Sequence, residues 1–217
     1  MFVKMLFESP LQFLTICAIL IFSICLHEFC HAWIAYREGD DGAAEFMTLN
    51  PLRQMGPVSL LMLALIGIAW GVVPVDRSKL RSRWSHLKIS LAGPAANLAL
   101  FLLSVLIFLL IGWASAALQL KISKSAAYPV FYLIFLFGMY NFALLTFNLI
   151  PAPGLDGWHV LTEFFPKIRR IRSETFKGAL LILMMLAFFS ASYLFMAGGW
   201  LMQQVLVLGI RLGGGEV

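Results

Sequence analysis

The sequence LQFLTICAILIFSICLHEFCHAWIAY, from Leu11 to Tyr36, contains the two features from which the fold can be read. Its first part, up to Leu26, is apolar and long enough to form most of a helix that crosses a membrane. The remainder contains the pattern H-E-x-x-H at residues 27–31. We predict a single helix over Pro10–Tyr36, which at about 1.5 Å per residue is about 40 Å long.

The two histidines of this pattern lie one helical turn apart and therefore share a face of the helix. Imidazoles placed like those of His27 and His31 can bind one zinc ion, and Glu28 beside them can act as general base on a water molecule that the zinc activates. The same pattern also arises by chance in soluble helices. Here it follows an apolar run, and because ionisable side chains are costly in a membrane, a metal site is favoured over a packing accident.

Composition places the whole chain in a membrane. Of its 217 residues, 61% are hydrophobic and 12% are charged, whereas soluble domains average about half and about a quarter. We expect one integral membrane domain over residues 1–217, in a bacterial plasma membrane. The net charge of +5 bears on loop orientation, and we expect no nucleic-acid partner. The three cysteines all lie in the first helix, so no disulfide framework is indicated.

Three further apolar stretches predict helices that cross the membrane. We place them at residues 86–112, 127–150 and 176–197, with a break at Gly198-Gly199 and a short apolar helix over 200–212. The predicted fold is an all-α polytopic membrane protein with one or two helices at its C-terminal end. His86 lies in a basic loop, and we expect its side chain to be solvated.

An irregular segment, NLIPAPGLDG at residues 148–157, follows the helix at 127–150. Its prolines and glycines stop regular helix, and such backbone is tolerated at membrane depth only inside the protein or beside a wet cavity. Asp156 on this segment is the natural third zinc ligand, because catalytic zinc takes three protein ligands and two histidines with one carboxylate form a known set. A solvated turn aspartate is the alternative, and His159 is a weaker competitor.

The segment at residues 56–74 could cross the membrane or enter it and return. Its second half, with Gly67, Gly71 and the run VVPV at 72–75, favours extended structure. If the three predicted ligands bind one ion, they lie at similar depth, and an even number of crossings must separate them. The single-zinc hypothesis therefore predicts a re-entrant, partly β segment near 56–75. The two basic loops, at residues 76–88 and 166–177, then lie on the same side of the membrane as the H-E-x-x-H motif. The positive-inside rule makes this side cytoplasmic.

Together, three motifs resemble the site-2 protease family of zinc intramembrane metalloproteases. They are the H-E-x-x-H helix, the stretch AGPAAN at 92–97 and the stretch N-x-x-P-x-P-x-L-D-G at 148–157, in that order. The resemblance implies a three-helix catalytic core, a membrane-dipping β segment and the short form of the family, without a PDZ or a nucleotide-sensing domain. It also implies one Zn²⁺ per chain. The zinc ligands would be His27, His31 and Asp156, and the catalytic base would be Glu28.

The activity that the resemblance implies is zinc metalloendopeptidase cleavage within or near transmembrane segments of membrane-protein substrates, in regulated intramembrane proteolysis. Asn148 would face the substrate backbone, and Asn148 and Asn97 are candidates to donate a hydrogen bond to the oxyanion. For Asn97, a role in packing at a helix kink is an equal alternative. The alternative functions are membrane zinc binding or transport, for which we find no inverted repeats, and an inactive relative that binds transmembrane helices.

Overall fold

The computed structural model describes residues 2–119, 124–171 and 174–215. Four of its helices are long and apolar enough to cross a membrane, and no strand occurs in these ranges. The predicted all-α polytopic fold is therefore confirmed. The helices are α1 (Lys4–Glu8), α2 (Pro10–Arg37), α3 (Pro51–Gln54), α4 (Gly56–Ile66), α5 (Ser85–Ala117), α6 (Lys124–Asn148), α7 (Asp156–Phe164) and α8 (Glu174–Leu212), of which α2, α5, α6 and α8 are the four long ones.

Helix α5 lies at the centre of the bundle, where it contacts α2, α6 and α8. It contains the small residues of the stretch at 92–97, which allow neighbouring helices to approach closely. Apolar side chains of α2 pack against α4 and α6 beside it. The buried members of this core include Ile16, Ile19, Leu20, Ile24, Leu63 and Leu136.

The last helix differs from the sequence prediction, because α8 continues without a break through Gly198 and Gly199. These positions serve close packing: a Cβ on Gly198 would lie 2.9 Å from the carbonyl oxygen of Met139 on α6. Similarly, a Cβ on Gly209 would lie 2.6 Å from the carbonyl oxygen of Leu109 on α5. The predicted break is wrong because packing against α5 and α6 outweighs the helix cost of glycine, which is about 1 kcal/mol per residue.

Helix α4 is too short to cross a membrane. Its 11 residues span about 16 Å at helical rise, against about 30 Å for a hydrocarbon core. The chain turns at Gly67, whose φ is +77°, and residues 68–75, here called the returning segment, run back beside α4. The Ser59 hydroxyl accepts a hydrogen bond from the Trp70 N–H (2.9 Å) and donates one to the Trp70 carbonyl (2.7 Å).

The middle of the returning segment lies beside the residue at which α3 stops. The N–H of Val72 donates to the carbonyl of Gln54 over 3.1 Å, so the chain comes back to the level from which α4 began. The predicted return is therefore seen. The returning segment does not form a strand, because these backbone groups bond to α3 and to a side chain of α4 rather than to a neighbouring strand.

The two ends of the connection between α2 and α5 lie side by side. The carbonyl of Glu38 accepts from the N–H of Arg81 (2.9 Å), and its carboxylate accepts from Nζ of Lys88 (2.6 Å). The carboxylate of Asp40 likewise accepts from the N–H of Asp76 (2.8 Å). The connection thus leaves and re-enters the bundle at the same end. Among the described helices between the H-E-x-x-H motif and α7, only α5 and α6 are long enough to cross the membrane.

Candidate active site

The side chains of His27 and His31 project from the same face of α2, as their spacing predicts. Their Nε2 atoms lie 2.9 Å apart. Asp156 meets them from α7: its Oδ2 lies 3.0 Å from Nε2 of His27, and its Oδ1 lies 3.2 Å from Nε2 of His31. Within the described part of the chain, these three side chains form the group whose ligand atoms are close enough to share one ion.

The irregular segment after α6 brings Asp156 to this position. Leu155 is extended, and Asp156 is the first residue of α7. The next residue, Gly157, packs so closely on the carbonyl of Leu149 that an added Cβ would overlap with it. The sequence Asp156-Gly157 therefore permits α7 to begin directly against the end of α6, which carries the carboxylate inward to α2.

The Nδ1 atoms of the two histidines are engaged in hydrogen bonds, which leaves both Nε2 atoms available as ligands beside the carboxylate. Nδ1 of His31 lies 2.6 Å from the carbonyl of Ile89, which only accepts, so Nδ1 carries the proton and Nε2 a lone pair in the neutral ring. Nδ1 of His27 lies 2.6 Å from Oδ1 of Asn97, with the same consequence. Two nitrogen lone pairs and a carboxylate in mutual contact repel one another unless a metal ion or a proton lies between them.

The set fits zinc in its chemistry and in its spacing. Two imidazole nitrogens and a carboxylate oxygen form a catalytic zinc set, and bonds of about 2.0–2.1 Å in tetrahedral geometry separate the ligand atoms by about 3.3 Å. The observed separations of 2.9, 3.0 and 3.2 Å are close to this value. Oδ2 of Asp156 is buried and has no hydrogen-bond partner, as expected of an atom placed to bind a metal.

Gly93 on α5 provides the space that an ion needs. A Cβ built on Gly93 would overlap with Nε2 of both His27 and His31 and would lie 2.5 Å from Cε1 of His27, whereas real Cβ atoms essentially never come within 3.0 Å of such neighbours. The absence of a side chain at Gly93 therefore leaves Nε2 of both histidines accessible to a metal ion.

Glu28 lies beside the ligands and lines a cavity of about 540 Å³. Its side chain is buried, and Gly71 of the returning segment packs against it: a Cβ on Gly71 would lie 2.6 Å from Cδ and from Oε1 of Glu28. The returning segment thus forms one wall of the cavity. The opposite walls come from the end of α6, from α7 and from α8, with residues that include Phe147, Asn148, His159 and Phe188.

The two predicted asparagines lie in different settings. Asn148 is half-buried at the cavity, and its Nδ2 donates to the carbonyl of Leu144 in its own helix (3.0 Å). Asn97 is completely buried, and both ends of its amide are engaged: Oδ1 with His27, and Nδ2 as donor to Oδ1 of Asn141 (3.1 Å). These contacts favour a positioning role for Asn97 over the predicted contact with substrate.

The remaining histidines form a separate contact near the cavity. The rings of His86 and His159 lie 5.2 Å apart, and Nδ1 of His86 lies 3.0 Å from the carboxylate of Glu163. The prediction of a solvated His86 is wrong, because its side chain is only 13% exposed where α7 covers it. His159 lies outside the group formed with Asp156.

The sequence analysis missed Asn141, and it named Gly93 only as part of the stretch at 92–97 without a role at the site. Asn141 is completely buried on α6 and contacts Asn97. Its signal was available, since a polar residue inside an apolar membrane helix is by default a functional candidate. Gly93 lies in the quoted stretch at 92–97, but its role could not be assigned from sequence, because it depends on which helix faces α2.

Comparisons with known proteins agree with this geometry. The model of Peptidase family M50 matches residues 111–191. YwhC of Bacillus subtilis, provisionally named a zinc metalloprotease, is 32% identical over 151 residues, which cover 68% of this chain and 67% of YwhC. Rip2 of Mycolicibacterium smegmatis, with the same provisional name, is 35% identical over 184 residues, 80% of this chain and 66% of Rip2.

Rip2 of Mycobacterium tuberculosis is 33% identical over 176 residues, 76% of this chain and 62% of that protein. The chain therefore spans about two thirds of the length of these relatives. No solved structure gives a significant match. By the extent of its identity to these relatives, the chain belongs to peptidase family M50, the site-2 protease family of zinc metalloproteases.

Proposed function

We propose that this chain cleaves peptide bonds within or near transmembrane segments of membrane proteins, in regulated intramembrane proteolysis. The observation that carries the proposal is a buried set of two histidines and an aspartate, with a glutamate beside it, inside a bundle of helices long enough to cross a membrane. The family supplies the general activity, and the position of the site among these helices supports a substrate that also lies in the membrane.

In this proposal, His27, His31 and Asp156 hold the zinc ion. When bound, zinc polarises the scissile carbonyl and lowers the pKa of a water molecule. Glu28 lines the same cavity and acts as general base and then general acid: it takes a proton from the attacking water and returns it to the leaving amine. Its burial keeps bulk water from competing for that proton.

A substrate helix must unwind before it can be cut, because its amide carbonyls are shielded by helical hydrogen bonds. The cavity of about 540 Å³ is large enough for an unwound stretch of a few residues, since ligand pockets range from about 300 to 1,000 Å³. Asn148 supports the proposal as a donor to the substrate, because the carbonyl of Leu144 occupies one amide hydrogen and leaves a second.

The positive charges support a site that opens towards the cytoplasm of a bacterial cell. One basic segment precedes α5, and another follows α7. Arg77 of the first lies 3.7 Å from the carboxylate of Glu163 on α7, so both segments lie at the end of the bundle that holds the cavity. The positive-inside rule makes this end cytoplasmic.

The test compares the purified wild type with Glu28→Gln and Asp156→Ala, measuring zinc per chain and cleavage of a reporter whose transmembrane helix contains glycine and proline. We expect the wild type to bind zinc and to cleave, Glu28→Gln to bind zinc without cleaving, and Asp156→Ala to lose zinc. Glu8→Gln, on the exposed helix α1, is the matched control and should behave like the wild type. Cleavage by Glu28→Gln would contradict the general-base role, and full zinc in Asp156→Ala would remove Asp156 as a ligand.

A further inference from the structure

We propose that Asn141 is a positioning residue that fixes the tautomer of His27 and thereby aims its Nε2 at the metal. The inference rests on the proposed zinc site and adds a residue that does not touch it. Asn141 on α6 and Asn97 on α5 are both completely buried. They lie in line between α6 and the ring of His27, so that three helices contribute to one chain of hydrogen bonds.

The donor-to-acceptor direction of these hydrogen bonds follows from one backbone carbonyl. The nitrogen and oxygen of an asparagine amide are assigned by their partners rather than by shape. One amide atom of Asn141 lies 2.9 Å from the carbonyl of Phe137, which can only accept. That atom must therefore be Nδ2, and the other atom of the amide, which faces Asn97, must be the acceptor Oδ1.

The assignment then passes to the metal site. Because Oδ1 of Asn141 accepts, the Asn97 atom 3.1 Å away must be Nδ2. Oδ1 of Asn97 consequently faces Nδ1 of His27 at 2.6 Å, and only a protonated Nδ1 can donate to it. A neutral imidazole with its proton on Nδ1 has a free lone pair on Nε2, which is the atom that faces Asp156.

Without Asn141, nothing in this network would fix the orientation of the Asn97 amide. The amide of Asn97 could then turn over and present Nδ2 to His27, which would favour a proton on Nε2 and block that atom as a ligand. Outer partners that orient metal-binding histidines typically contribute about 10- to 100-fold in metal affinity. The effect should reach zinc although Asn141 itself makes no contact with the ligand atoms.

The network also offers matched controls. Nδ2 of Asn141 donates to the hydroxyl of Ser23 on α2 as well (3.0 Å), but the carbonyl of Phe137 alone suffices to fix the amide. Ser23 is completely buried, so Ser23→Ala perturbs the same polar cluster without changing its direction. Asn97→Asp bypasses the chain, because a carboxylate presents an acceptor to His27 in either orientation.

Two readouts test the proposal on the purified full chain in detergent micelles. The first is the zinc Kd by chelator competition, and the second is the ¹⁵N NMR spectrum of histidine-labelled, metal-free protein, in which the His27 signals are identified by their loss in His27→Gln. We expect a protonated Nδ1 of His27 in the wild type, whether or not Nε2 also shares a proton with the Asp156 carboxylate 3.0 Å away, and loss of the Nδ1 proton in Asn141→Leu. The zinc Kd of Asn141→Leu should rise about tenfold or more, and adding Asn97→Asp should reverse both changes.

Ser23→Ala should keep the wild-type tautomer and a zinc Kd within about twofold of the wild type, since the bond to Phe137 remains. Wild-type zinc affinity together with a protonated Nδ1 in Asn141→Leu would overturn the inference, as would an unprotonated Nδ1 of His27 in the wild type, a result that requires no variant to fold. If Asn141→Leu does not fold, Asn141→Asp keeps the acceptor for Asn97 and must keep the tautomer. A wild type that binds no zinc would instead contradict the proposed function, while the NMR result still decides the role of Asn141.

Discussion

Replacing Gly93 by alanine should strongly weaken zinc binding while leaving the helix bundle folded. The added Cβ overlaps with Nε2 of both His27 and His31. Zinc would lie about 2.0–2.1 Å from those same nitrogens, whereas a methyl carbon needs about 3.5 Å from its neighbours. The methyl group and the ion therefore cannot both be accommodated unless the histidines or α5 move away.

The expected magnitude follows from the number of ligands affected. Moving α5 or the two rings by even about 1 Å to relieve the overlap takes both nitrogens out of bonding range at once, and a metal held by the carboxylate alone is weakly bound. We therefore expect the zinc Kd to rise by at least about 100-fold, which corresponds to about 2.8 kcal/mol. For the metal-free fold, alanine gains up to about 1 kcal/mol over glycine in helix propensity, which offsets part of the strain.

The assay is zinc per chain and zinc Kd for the wild type and Gly93→Ala, with thermal unfolding of the metal-free proteins beside them. Gly178→Ala is the matched control, because Gly178 lies within α8 and a Cβ there would meet nothing within 4 Å. Near-normal zinc affinity in Gly93→Ala, with a fold as stable as the wild type, would refute the inference that Gly93 leaves the room needed by a metal ion on His27 and His31.

Ser59→Ala should destabilise the fold by about 1–3 kcal/mol, because it leaves two backbone groups of the returning segment without a partner; Ser104→Ala, whose hydroxyl bonds only within its own helix, should have a smaller effect on the melting temperature. The pKa of Glu38 is lowered by the ammonium group that it binds on α5 and by a serine hydroxyl. The contact of Glu38 with Lys88 therefore stabilises the fold at a pH above the unfolded pKa of about 4.3, and this stabilisation is lost as the pH falls through the lower pKa of the folded state. Glu38→Gln should lower the melting temperature at pH 7. It should no longer lower it at a pH below both pKa values. Asp41→Cys and Ser82→Cys, at exposed positions in a cysteine-free background, should react with a membrane-impermeant thiol reagent from the same side of the membrane; labelling from opposite sides would contradict the topology.

Three of the four long helices and half of the site could be predicted from local sequence alone. The predicted first helix, Pro10–Tyr36, differs by one residue from α2, since an apolar run of that length has few alternatives in a membrane. The pairing of His27 and His31 follows from the helical repeat in the same way. Both are properties of one segment and need no knowledge of its neighbours.

The features that could not be predicted depend on contacts between segments. From sequence, Gly198 predicts a helix break. Only the close approach of α6 shows that the glycine allows two helices to pack against each other. His86 reads as a loop residue, and only the position of Glu163 on α7 explains its burial. Asn141 differs, because its position in an apolar helix was informative but its partner, Asn97, could not be identified without the arrangement of α5 and α6.

The number of membrane crossings between α2 and α7 can be established from the structure without assuming a metal ion. From sequence, an even number of crossings between α2 and α7 followed only if one ion joins His27 to Asp156. In the structure, the bonds from Glu38 to Arg81 and to Lys88 close the connection between α2 and α5 at one end of the bundle. Two crossings, α5 and α6, then bring the chain back to the end of α2 that carries the histidines. Asp156 therefore reaches His27 and His31 because of the fold. The grouping of the three ligands follows from the topology and does not have to be assumed in order to derive it.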